Sequence, residues 1–66
     1  MDVNDFLNRY GSDRAAIVAA EAGTTLAYLK QIAKGIRYPS AKLAHRLVEA
    51  SNYEMGFSAL LARKAA

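Results

Sequence analysis

Four glycines and a single proline punctuate this chain so closely that no long uninterrupted element can form. Between them lie Val3–Tyr10, Asp13–Ala22, Leu26–Lys34 and Ala41–Ser51, followed by an apolar cluster around Phe57, Leu60 and Leu61. Within the first segment Val3, Phe6, Leu7 and Tyr10 recur at the i, i+3, i+4, i+7 spacing of one helix face. In the fourth segment Leu43, Ala44, Leu47 and Val48, spaced i, i+1, i+4, i+5, form the core face of another helix. Strand-like alternation never persists for more than a few residues. Segments of roughly 8–11 residues are too short to be stable helices in isolation. The expectation is therefore all-α: a compact four- or five-helix domain whose elements share one core.

The punctuation also supplies ends. Asp2 can cap the first helix and Gly11 can stop it. Ser12 can cap the second, with Asp13 suited to the positive helix start, and Gly23 ends it. Thr25 can cap the third and Gly35 ends it. The residue before Pro39 is pushed out of helical conformation, so Ile36–Pro39 reads as a loop and Ser40 as the cap of the fourth helix. Asn52 and Gly56 loosen the chain before a short last helix that runs into Arg63-Lys64.

Composition narrows the class. At 66 residues the chain is one small domain, residues 1–66. A domain of that size buries only about 60% of the surface its unfolded form exposes, so a second copy or a partner adds much. Hydrophobic residues make up 53% of the chain, which separates it from disordered tails. Cysteine is absent, so there is no disulfide framework, thiolate metal site or cysteine nucleophile. No apolar run approaches the ~20 residues of a membrane span, and the acidic start is unlike a signal peptide. A cytoplasmic bacterial protein with no membrane association is expected.

Charge is unevenly placed. The net charge is +3, but from Ala22 to Val48 there is no acid, only Lys30, Lys34, Arg37, Lys42 and Arg46. Outside that window the acids outnumber the bases. A basic middle between acidic flanks suits a polyanionic partner.

The join between the second and third segments is the most specific feature. Ala19, Gly23, Leu29 and Ile32 are spaced as a tight helix-turn-helix over residues 13–35 requires. Ala19 is small where the next helix crosses closely. Gly23 sits where the chain reverses and a positive φ would strain a side chain by ~1 kcal/mol or more. Leu29 and Ile32 face inward and hold the third helix against the second. A three-residue turn containing glycine between such helices marks the motif.

With its turn, its inward pair, its stop and its following loop, the stretch AAIVAAEAGTTLAYLKQIAKGIRYPSAKLAHRLVEAS (Ala15–Ser51) resembles the helix-turn-helix domain of phage repressors and Cro proteins, including small prophage regulators and antitoxins. The Gly-Thr-Thr turn, the Leu-x-Gln-Ile run, the Gly35 stop and the Arg-x-Pro-Ser link carry the resemblance, which covers a little over half the chain. The lead-in Asp5-Phe6-Leu7 to Tyr10-Gly11 fits as well; the last ~15 residues match nothing specific.

The resemblance implies a lambda-repressor-like fold and a sequence-specific regulator of double-stranded DNA, most often a Cro-like repressor. The third helix would enter the major groove, and a homodimer would occupy a pseudo-palindromic operator. Leu26, Ala27, Lys30, Gln31 and Lys34 would then read bases. Thr25, Tyr28, Arg37, Tyr38, Ser40 and Lys42 would grip the backbone. Gln31 offers the paired donor and acceptor that suit adenine N6/N7, the lysines reach guanine or phosphate, and Leu26 and Ala27 suit thymine methyls.

The third segment opens Leu26-Ala27-Tyr28, with one hydroxyl among three residues. Together with Phe57, Leu60 and Leu61 this motivates a second reading: a protein-interaction module on the same scaffold, an anti-activator or anti-repressor of a host regulatory protein. Met55, Phe57, Leu60 and Leu61 either close the core of one chain or form a dimer seam; a two-fold DNA site needs a dimer, so a dimer is expected, with these four as candidates for its seam and the surface that mediates it left open. No enzyme is indicated. His45 has no second metal ligand at a suitable spacing and no serine–acid pair beside it, and the acids form no catalytic pair. No cofactor or metal is expected.

Overall fold

The computed structural model describes residues 1–61, and among these every regular element is helical. There are four: α1 (Val3–Ala22), α2 (Leu26–Ala33), α3 (Ala41–Ala50) and α4 (Phe57–Leu61). The first two expected helices are the two arms of α1. They abut at Gly11, whose φ of 85° and ψ of 171° leave the helical region for one residue. The break is where the sequence places it, but no loop intervenes. The expected readings on Arg63 and Lys64 lie outside the described residues.

The caps follow local chemistry. The Asp2 carboxylate accepts the Asp5 N–H at 2.8 Å. The Thr25 hydroxyl accepts from Tyr28 N–H at 3.1 Å, and the Ser40 hydroxyl from Leu43 N–H at 3.1 Å. Each satisfies one of the donors a helix start leaves unpaired. The C-termini of α1 and α2 close alike. At α1, Gly23 adopts φ 83°, its N–H reaches Ala20 O at 3.1 Å and Thr24 N–H reaches Ala19 O at 2.8 Å. At α2, Lys34 is the last near-helical residue and Gly35 adopts φ 78°. Gly35 N–H reaches Ile32 O at 3.0 Å and Ile36 N–H reaches Gln31 O at 3.0 Å. These are paired 5→2 and 6→1 bonds that consume otherwise orphaned carbonyls. α3 ends the same way without glycine: Asn52 and Tyr53 are both left-handed, at φ 57° and 64°.

α1 packs against α2 and α3, and α3 against α4. The shared core holds Val3 and Phe6 from the first arm of α1 and Ala15, Val18, Ala19 and Ala22 from the second. Leu29 joins from α2, Ala44 and Leu47 from α3, Met55 from the following loop and Leu60 from α4. Ala19 and Leu29 are fully buried, as the tight turn between α1 and α2 demands. Among the described residues Ser51 is the one buried polar residue, and it is satisfied: its hydroxyl donates to Val48 O at 3.0 Å and accepts from Met55 N–H at 3.1 Å.

The segment that carries Met55 is tied to the start of the chain. The amino group of Met1 donates to Glu54 O at 2.9 Å, and Gly56 N–H donates to Met1 O at 3.0 Å. The Tyr10 hydroxyl donates to Glu54 Oε2 at 2.9 Å. This closure corrects one expectation. Met55 and Leu60, assigned to a dimer seam, are 0% and 3% exposed within the single chain and close its own core. Phe57 and Leu61 are half-buried against that core.

Candidate nucleic-acid interface

α2 turns Leu29 into the core and rests Ile32 and Ala33 on it, so the opposite side of the helix faces out. Ala27, Lys30, Gln31 and Lys34 are all exposed, as is the capping Thr25. Spaced by three and four residues, they form one stripe along the helix. The stripe carries two ammonium groups, one amide and no carboxylate.

The loop that follows extends it. Arg37 is exposed, and its N–H reaches Gln31 O at 3.3 Å, so the loop folds back under the last turn of α2. Ser40 and Lys42 at the start of α3 are exposed as well. Thr25 and Ser40 each spend an oxygen lone pair on a cap. A hydroxyl that accepts a hydrogen bond retains its own O–H to donate, and a phosphate oxygen is a suitable acceptor.

Three expected contact residues are less available. Leu26 packs in part against the core, and Tyr28 is half-buried. Tyr38 is half-buried too; it lines a small cleft of about 90 Å³ with Asp2, Val3, Ile32 and Leu60. The apolar start of α2 is thus partly spent on the protein's own interior. That weakens the motive for a protein-docking patch built on Leu26, Tyr28 and Phe57.

Arg46 belongs to a different surface from the other bases of the acid-free window. Its Nη1 atom lies 3.9 Å from where a Cβ on Gly23 would stand, and it lines an open groove with Glu21, Glu49 and Ala50. Two carboxylates share that face, so the unopposed positive charge is concentrated on Lys30, Lys34, Arg37 and Lys42. His45 is exposed and stacks on Phe57 with ring centroids 4.3 Å apart.

No protein-family model matches this chain, and neither does any curated protein or solved structure. Among the described residues no group of three or more His, Cys, Asp or Glu could hold a metal ion. No described helix is long and apolar enough to cross a membrane.

Two features of the surface were not anticipated from the residues. Ile36 is 64% exposed beside Gln31 and Arg37, although an isoleucine next to a helix stop would ordinarily fold onto the helix. The polar Gln31, five positions earlier where an apolar partner would ordinarily stand, is the signal that could have marked it. The second is a stack at the kink of α1, where the Arg14 guanidinium sits 4.3 Å from the centre of the Tyr10 ring and 5.6 Å from that of Phe6. A cation over an aromatic face is held by the ring's quadrupole, which commits Arg14 to the fold.

Proposed function

We propose that this protein is a sequence-specific regulator of double-stranded DNA of the phage repressor and Cro type. In this reading α2 lies in the major groove and two copies occupy a pseudo-palindromic operator, blocking access to the promoter. The observation that carries the reading is the stripe of Ala27, Lys30, Gln31 and Lys34. It is exposed, free of carboxylates and mounted on a helix fixed by a left-handed Gly23 turn and a Thr25 cap. A planar amide between two cations can pair with a base edge while its neighbours hold phosphates. Arg37, Ser40 and Lys42 continue the phosphate grip beyond the helix.

Selection from a random ~30 bp duplex library at ~0.15 M salt tests this directly. A two-fold-related motif, with half-sites about one helical turn apart, is the expected outcome. Gln31→Ala should then cost ~1–3 kcal/mol, confined to one base position in each half-site. A library that returns no enriched sequence would sink the reading and leave a host protein as the better partner to pursue. An unchanged base preference in Gln31→Ala would remove Gln31 as the reader.

A further inference from the structure

Among the described residues three large apolar side chains stand mostly in solvent: Ile17, Ile36 and Tyr53. Only Ile36 falls within the basic window beside the α2 stripe. Its backbone is fixed rather than loose. Gly35 turns left-handed at φ 78°, Ile36 N–H bonds to Gln31 O at 3.0 Å, and Arg37 N–H shares the same carbonyl at 3.3 Å. In this type of helix ending the residue after the left-handed turn sits beside the residue five positions earlier, here Gln31. Packing against that neighbour accounts for only part of the side chain, since 64% of Ile36 stays exposed.

The surroundings select what could cover it. Lys34 and Arg37, close to it in the chain, and Lys30 on the preceding helix are all exposed, and the chain has no acid from Ala22 to Val48. A partner that meets these cations must carry dense negative charge, and one that also covers an isoleucine must show an apolar group within a side chain's reach of that charge. In the major groove the 5-methyl of thymine is such a group, set between two phosphate backbones.

We infer that Ile36 is a specificity-determining residue that packs on a thymine 5-methyl group next to the base read by Gln31. This inference rests on the DNA-binding reading above and assigns the edge of the same site. The probe is the duplex enriched from the library, together with versions in which deoxyuridine replaces each thymine in turn, which deletes one methyl and leaves pairing intact. One such replacement should weaken binding of the unaltered protein by ~4–15-fold, the range for burying one or two methyl-sized groups. Ile36→Ala should lose a similar factor on the thymine duplex and lose nothing further at that one replacement. Ile36→Val should keep part of the coupling.

Because Ile36 is exposed, its variants should keep the helical circular dichroism and melting midpoint of the parent. Unchanged affinity in Ile36→Ala, or equal loss on every duplex with no coupling to any one methyl, would overturn the inference while leaving the DNA reading intact. A parent protein with no sequence preference would instead remove the reading on which it rests.

Discussion

The outward stripe of α2 and the segment from Met55 to Leu61 are the two regions whose residues look, in the sequence, like contact surface. One stays in water and the other does not. Ala27, Lys30, Gln31 and Lys34 stand exposed, whereas Met55 and Leu60 are sealed into the core. The difference follows from what each would give up. Lysine and glutamine lose hydration when buried, so a helix that sets them on one side fixes its own outward face. Methionine and leucine gain from any apolar cover, and a chain this small has little interior to spare. An apolar cluster in a small domain is therefore claimed first by its own core. Residues that pair a polar group with an outward helical register are the safer guide to a partner.

Substitutions can break this contrast or sharpen it. The largest effect should come from Met55→Ala, which leaves a hole in a fully buried site and should cost ~2–5 kcal/mol in urea unfolding. A midpoint close to the parent's would mean that Met55 is not core, and the comparison would fail. Gly23→Ala should be next. The nearest atom to an added Cβ is 3.9 Å away, so strain at φ 83° is the only charge against it, about 1–2 kcal/mol. In a domain of this size that lowers the melting midpoint by roughly 4–8 °C per kcal/mol.

Thr25→Ala removes a cap and should cost ~1 kcal/mol, with Thr25→Ser restoring nearly all of it. If alanine proves as stable as threonine, the hydroxyl is not holding the start of α2. The smallest stability change belongs to Lys34→Ala, within about 0.5 kcal/mol of the parent. Its effect should appear elsewhere, as a loss of about one unit in the slope of log affinity against log salt on duplex DNA. A salt slope that does not move would take Lys34 off the phosphate contacts.

How much of this could be read from the residues depends on the range of the forces involved. Caps and stops act within five residues, and Asp2, Thr25, Ser40, Gly23 and Gly35 are all where local chemistry puts them. The outward stripe of α2 was legible for the same reason, once Leu29 was taken as inward. The fate of Met55 and Leu60 was not, because it is decided by contacts between residues about fifty apart, such as Met1 with Glu54 and Gly56. Nor was the left-handed pair Asn52-Tyr53: nothing in a tyrosine favours φ 64°, and the bond from Tyr53 N–H to Val48 O at 2.8 Å holds it there.

The closure between Met1 and the Glu54–Gly56 stretch also bears on how the protein comes apart. The described part of α4 spans five residues and could not persist as a helix by itself. It stays in place because Met55 and Leu60 reach the same core as Phe6, and because Met1 and Tyr10 hold the preceding turn. The beginning of the chain and the turn that leads into its last described helix are thus tied to each other, although they lie about fifty residues apart in sequence. Amide hydrogen exchange should register them together, with Phe6 and Gly56 opening at one common rate. The α2 turn, fastened separately by its own cap and its own left-handed glycines, should open on a different schedule.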